Sequence, residues 1–304
     1  MFHSEFRGNS KSKDTSRNNK QNLHTHTTYV DGKDTPEEII LSAIERGFGS
    51  IGFSEHSYLH YSTYPHQMTE TDMVRYKEEI RTLKAKYRGS IDIFCGLELD
   101  FFSEVPTDGF DYLIGSVHYL DIDGSIVTFD RGLTETIAYI STYFGGDGLG
   151  FAKKYFETIA RLPEKNTLDI LGHFDLITKN NVAGKMIDVS SKAYLDAGFE
   201  AIAALKGKIP LFEVNTGAIA RGYKTTPYPQ MEFLKEFQRQ GFGVLITTDC
   251  HDKNFIDCFY TEAEEMIRAQ EKTGKFIAIG FQMAYAPATL NLKKDILAGV
   301  FGKP

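Results

Sequence analysis

Short apolar runs alternate with helix-forming stretches along this chain. Residues 21–28, 50–54, 91–99, 112–118, 168–172, 210–215 and 244–249 read as strands. Helices are predicted from Thr35 to a stop at Gly47, and over residues 71–87, 151–162, 191–205, 229–240 and 261–270. Thr35-Pro36-Glu37-Glu38 is a start signal, with a capping Thr, Pro at the first helical position and acids in the first turn. The stretch 71–87 has an acidic first turn and a basic last turn, which complement the helix dipole. One more short extended segment is expected over residues 277–281.

Strands that each precede a helix imply parallel βα units. The runs are short and mostly apolar, as expected for strands buried on both faces. Two arrangements fit, a closed β/α barrel or a doubly wound open sheet. The candidate ligands below decide for the barrel, because only closure brings the first and last strands together. The glycine-rich stretch at residues 145–150 does not match a P-loop and reads as a flexible connection.

The chain has 304 residues, 41% hydrophobic and 25% charged, enough for one large barrel or two modest domains. Residues 1–20 are polar and basic and are expected to form a mobile tail, with residues 21–304 a single domain. The tail lacks the apolar core of a secretory signal, and no apolar stretch approaches the roughly 18 residues of a membrane span. Cys95, Cys250 and Cys258 show no CxxC spacing and are odd in number, so reduced thiols in a cytoplasm are expected. A formal charge of −7 argues against a general nucleic-acid surface. A monomer or small homo-oligomer is expected.

Candidate chemistry gathers at the ends of the predicted strands. His24-Thr25-His26 ends the first, and Asp249-Cys250-His251 ends the last, about 225 residues away. Each pair has i, i+2 spacing, which points two side chains to the same side of an extended backbone. His56, His118 and His173 also fall at strand ends, so six of the nine histidines do. Glu98 and Asp31 add carboxylates. Any one of these could be structural, and Asp31 alone, in Val30-Asp31-Gly32, could be a turn residue. Together they predict a polynuclear metal site at the C-terminal ends of the strands, where a β/α barrel gathers its active site. Three divalent ions sharing Glu98 and a bridging hydroxide would use all nine ligands. Imidazole and carboxylate suit Zn, Mn or Fe without choosing among them. Alternation turns Cys250 away from this site.

Six motifs in order then resemble the PHP (polymerase and histidinol phosphatase) superfamily. They are Asn22-Leu23-His24-Thr25-His26-Thr27, Phe53-Ser54-Glu55-His56, Gly96-Leu97-Glu98, Gly115-Ser116-Val117-His118, Leu171-Gly172-His173-Phe174-Asp175 and Thr248-Asp249-Cys250-His251. Within it, the segments at residues 212–222 and 227–230 most resemble the histidinol-phosphate phosphatase branch. The resemblance implies a distorted (β/α)7 barrel, similar to a TIM barrel, with a trinuclear metal centre. It also implies hydrolysis of L-histidinol phosphate, a small phosphomonoester, to L-histidinol. One ion would take His24, His26, Glu98 and Asp249, a second Glu98, His118 and His173, and a third Asp31, His56 and His251. The family often has Asp where Asn22 stands, and Ser-Asp-Ala-His where this chain has Thr248-Asp249-Cys250-His251; neither change removes a ligand.

Three such ions, three carboxylates and one hydroxide leave a net charge of about +2, a match for a phosphate dianion. Metal-bound water, with its pKa lowered to about 7, would supply the hydroxide that attacks phosphorus. Glu98, Asp249 and Arg221 are the candidate catalytic residues. Arg221, Lys179 and His60 are the candidates for substrate binding; the Arg221 fork suits phosphate. The aromatic loop at residues 58–66, which carries His60, is a candidate cover for the site. The proton for the leaving alkoxide could come from Asp249, a metal-bound water or a substrate amine. Rivals are a PHP phosphodiesterase, a non-catalytic metal-binding regulator, and an amidohydrolase. The last usually bridges two metals with a modified lysine, whereas Glu98 holds the bridging place here.

Overall fold

A computed structural model describes residues 20–60, 67–181 and 184–273. The tail up to residue 19 and the expected segment at 277–281 lie outside them. Seven strands form one sheet: β1 (Gln21–Asn22), β2 (Ser50–His56), β3 (Asp92–Asp100), β4 (Tyr112–Ser116), β7 (Ile170–Leu171), β8 (Leu211–Asn215) and β9 (Gly243–Thr247). Every neighbouring pair is parallel. Between β4 and β7 lies an antiparallel hairpin, β5 (Tyr119–Ile122) and β6 (Ser125–Thr128). The helices are α1 (Pro36–Glu45), α2 (Glu70–Lys86), α3 (Leu133–Phe144), α4 (Gly148–Ala160), α5 (Lys192–Leu205), α6 (Gly217–Ala220), α7 (Met231–Gln240) and α8 (Tyr260–Thr273).

The sheet curls until its outer strands meet. Thr25 and Cys250 form a parallel bridge, with His26 N–H donating to Cys250 O at 2.8 Å and Cys250 N–H to His24 O at 3.1 Å. Just below, the Asn22 amide donates to Thr248 Oγ1 at 2.6 Å and accepts from Thr248 N–H at 3.2 Å. The result is a nearly closed seven-stranded parallel barrel of the TIM type, as the ligand pattern required. Tyr112 crosses the interior below the site, where its hydroxyl reaches the carbonyls of Leu23 and Phe53. It packs with Ile114, Ile170 and Leu245 in a small apolar cluster, separate from the larger core that includes residues of α1, α2, α4, α5 and α7.

Sequence-level start signals hold well at two helices. Thr35 closes a capping box with Glu38 at the head of α1, and Thr69 closes one with Asp72 at the head of α2. The first strand differs: regular pairing with β2 covers two residues, Thr25 adds a single bridge to Cys250, and the chain then turns, with Thr27 O accepting from both Val30 N–H and Gly32 N–H. That turn carries Asp31.

The stretch at 145–150 is not a flexible connection. Gly145 ends α3 in the left-handed conformation at φ 58°, and Asp147 caps α4 by accepting from Leu149 N–H. It is a tight corner between two helices. Among the described residues, no helix is long and apolar enough to cross a membrane.

Candidate metal centre

Parallel registry delivers the candidate ligands to one end of the barrel. His56 ends β2 directly opposite Glu98 on β3. His118 and His173 follow β4 and β7, while His24 and His26 follow β1. Asp249 and His251 follow β9 across the seam.

Glu98 lies in the middle, and its two oxygens face different partners. Oε1 is 2.8 Å from His173 Nε2 and 3.4 Å from His118 Nε2. Oε2 is 2.7 Å from His56 Nδ1 and 3.6 Å from the Nε2 atoms of both His24 and His26. Asp249 Oδ1 is 3.3 Å from His26 Nε2 and 3.7 Å from His24 Nε2. Asp31 Oδ1 is 3.3 Å from His251 Nε2 and 3.7 Å from His56 Nε2.

Four overlapping groups each offer ligand atoms within 4.8 Å of one another: His26, Asp31, His56 and His251; His24, Glu98 and His173; His24, His26 and Asp249; and His56, Glu98 and His118. Among the described residues these groups contain the nine sequence candidates and no others.

The donor set fits divalent cations. Asp31 Oδ1 and His26 Nδ1 are buried without a hydrogen-bond partner, an expensive state unless something else satisfies them, and the close His56 nitrogen does not meet Glu98 Oε2 in hydrogen-bond geometry. Burial, with His56 and His251 alongside, pushes the His26 imidazole down to about 3. It is therefore neutral at physiological pH, the form that ligates a metal. Burial alone would raise Asp249, but the Arg221 guanidinium and then His24 more than offset it, and the carboxyl sits well below the usual range.

An outer layer holds the imidazoles in place. Glu213, on β8 and fully buried, accepts from His24 Nδ1 at 2.9 Å, Thr247 Oγ1 at 2.7 Å, Asn215 Nδ2 at 2.8 Å and His173 N–H at 2.6 Å. That bond favours a proton on His24 Nδ1 and aims Nε2 at the centre. Asp100 does similar work for His118: its Oδ2 accepts from His118 N–H at 2.8 Å and lies 3.3 Å from Nδ1. Sequence reasoning missed both residues. Asp100 was readable, since it stands two residues beyond Glu98 on the same side of a strand. Glu213 had only the oddity of a charge inside an apolar run.

Arg221 donates from Nη2 to Asp249 Oδ2 at 2.8 Å and from Nη1 to Asp249 O at 3.2 Å, and Nη1 lies 2.7 Å from His251 Nδ1. Asp249 itself sits at φ 44°, a strained conformation for a residue with a side chain. Gly217 gives it room, because a Cβ there would come 2.7 Å from that of Asp249. Lys179 stands further out, with Nζ 2.7 Å from Asp130 Oδ1 and 4.9 Å over the Tyr223 ring. His60 is exposed and packs edge-on against Tyr58. Residues 61–66 of its loop lie outside the described residues. A small cleft lies beside the centre, lined by Asp31, His56, Glu98 and His118 together with Leu59, Tyr119, Asp130 and Arg131.

These features define a class: parallel β/α-barrel proteins with a candidate polynuclear metal centre at the C-terminal ends of the strands. The chain belongs to the PHP domain family, whose model matches residues 22–216. It is 26% identical over 252 residues to a Schizosaccharomyces pombe protein named as a probable histidinol-phosphatase, a match covering 76% of this chain and 79% of that one. The crystal structure of the hisK protein of Listeria monocytogenes superposes with a TM-score of 0.69 at 20% identity, covering 80% of this chain and 99% of that one. Histidinol phosphate phosphatase from Lactococcus lactis, crystallised with zinc, L-histidinol and phosphate, gives 0.59 at 19% identity, covering 83% and 93%. At these identities the two structures speak for the fold.

Proposed function

We propose that this protein is a metal-dependent phosphomonoesterase that hydrolyses L-histidinol phosphate to L-histidinol and phosphate. The observation that carries the proposal is Glu98, a buried carboxylate whose two oxygens are divided between separate groups of imidazoles. That division suits a carboxylate shared between cations. The S. pombe relative and the L. lactis structure supply the choice of substrate.

Three divalent ions, of Zn, Mn or Fe, would be held in the partition that the family resemblance implies, which takes His118 and His173 together where the distance groups separate them. His24, His26, Glu98 and Asp249 would hold one, Glu98, His118 and His173 another, and Asp31, His56 and His251 the third. When bound, such ions supply Lewis-acid activation of water and charge for the phosphoryl oxygens.

The chain's own residues do the rest. Glu213 and Asp100 fix which nitrogens of His24 and His118 face the centre. Arg221 holds Asp249, and its side chain remains 29% exposed, so its planar fork can also meet a phosphate. With Arg221 beside it, Asp249 is a carboxylate at neutral pH. It can hold a cation, or receive a proton from the attacking water and so have one for a leaving alkoxide.

The test is phosphate release from L-histidinol phosphate by the purified protein, with metal analysis of the same sample. Release at a rate above that on a nucleotide diester is expected. Faster turnover of the diester would move the protein to a different activity of the family. No release from a metal-loaded sample would end the proposal.

A further inference from the structure

Asp31, His56 and His251 form the outer part of the centre. Their side chains are 24%, 25% and 18% exposed, against 6% or less for His24, His26, Glu98, His173 and Asp249. Asp31 lies on a turn, so no strand ladder fixes it. The far end of that turn is held to the seam, where Lys33 N–H donates to His251 O at 2.8 Å. Its near end is held by a carboxylate that the centre does not use. Thr27 N–H donates to Glu55 Oε2 at 3.1 Å, and the Thr27 hydroxyl donates to Glu55 Oε1 at 2.5 Å. Glu55 stands one residue before His56 on β2, so strand alternation points it to the face away from the ligands. It is nonetheless fully buried. A carboxylate buried there costs free energy that an apolar side chain would avoid.

We infer that Glu55 is a positioning residue for the outer ion: it ties the end of β2, which carries His56, to the turn that carries Asp31. The inference rests on the three-ion reading proposed above. The link is short at both ends. Glu55 adjoins His56 in the chain, and Thr27 adjoins His26, the fourth member of the same ligand group. Thr27 also closes the turn twice over. Its carbonyl accepts from Val30 N–H and Gly32 N–H at 3.0 Å each, and its hydroxyl accepts from Tyr29 N–H at 3.3 Å. The turn lies flat on the backbone of His26, since a Cβ on Gly32 would come 2.3 Å from His26 O. A turn packed this tightly moves as one piece with Thr27. Glu55 thereby sets the approach of Asp31 Oδ1 to His56 Nε2, 3.7 Å apart.

The test is zinc competition against a chromogenic chelator, counting ions and their affinities in wild type, Glu55→Leu and Glu55→Gln. Leucine suits a buried position and takes both acceptors from Thr27. One ion should then weaken about 10- to 100-fold, the range for loss of an outer partner, while the others stay within about threefold. Glu55→Gln should restore that ion, because its carbonyl oxygen still accepts from Thr27 N–H and its amide can donate to the Thr27 hydroxyl. Should Glu55→Leu fail to fold, Thr27→Val cuts the hydroxyl link from the other side and should weaken the same single ion. Unchanged zinc binding, equal weakening of every ion, or a glutamine variant as poor as the leucine one overturns the inference. If wild type binds fewer than three ions, the three-ion reading has failed by itself. Crystals of metal-free wild type and Glu55→Leu then read the link directly. Displacement of the turn at residues 27–32 from His56 is expected, and an unmoved turn overturns the inference.

Discussion

Replacing Glu213 by Gln changes one oxygen for an NH2 group and leaves shape and volume intact. Its consequence follows from the four donors around the carboxylate. Oε1 receives His173 N–H and the Asn215 amide, while Oε2 receives His24 Nδ1 and the Thr247 hydroxyl. An amide nitrogen at the first position would confront a backbone N–H that cannot turn away. It would also confront an Asn215 amide already locked by Gly217 N–H on its oxygen. The nitrogen therefore takes the second position. There the Thr247 hydroxyl can rotate to accept, and His24 can accept only by moving its proton from Nδ1 to Nε2. Nε2 is the atom aimed at the centre, so the variant would hold its first candidate imidazole in the wrong tautomer. Loss of such an outer partner costs about 10- to 100-fold in metal affinity. The folded apoprotein should lose only about 1 kcal/mol, since the hydrogen bonds can be rearranged without orphaning a donor. The assay is competition for zinc against a chromogenic chelator, alongside urea unfolding of the metal-free protein. Wild-type zinc affinity and stoichiometry in Glu213→Gln would refute the tautomer argument. A large loss of apoprotein stability would show that the charge and hydrogen bonds of Glu213 hold the fold itself together.

Removing metal with a chelator should abolish phosphate release and lower the melting temperature by about 10 °C, because the buried, unpartnered atoms of Glu98 and Asp31 lose their cations; differential scanning fluorimetry with and without added Zn, Mn or Fe checks this. Asn22→Ala should cost about 2–4 kcal/mol in urea unfolding, since it strips the acceptor from Thr248 N–H and His24 N–H and the donor from Thr248 Oγ1. Asn22→Asp keeps both acceptors and should cost clearly less. Gly217→Ala should displace Asp249 through the 2.7 Å contact between their Cβ atoms, lowering metal content and turnover at least tenfold for about 1–3 kcal/mol of stability; elemental analysis after dialysis reads it.

The barrel was legible because most of the buried strands are largely apolar runs ended by a polar motif. The nine ligands were legible because a period of two puts His24 with His26, and Asp249 with His251, on one side whatever the fold. The missing pieces had weaker signals. Helix α3 begins at Gly132, which offers no capping side chain, and so has no start signal of the kind that marks α1. The β5–β6 hairpin did have one. Asp123-Gly124, with φ values of 51° and 85°, is the dipeptide that a tight hairpin prefers. Glu213 showed only as a charge inside an apolar run, because its role depends on His24 and Thr247, 189 and 34 residues away in the chain, and no local pattern encodes such a meeting.

The joint between β1 and β9 has a consequence for biosynthesis. One lip of that joint carries His24 and His26, and the other carries Asp249 and His251. A growing chain on the ribosome therefore holds seven of the nine candidate ligands before Asp249 and His251 are made. Contacts this distant in sequence form late, after loop-closure entropy has been overcome. Completion of the candidate ligand set and final closure of the ring are then one event. A chain ended before β9 would lack the closing joint and the last two ligands together.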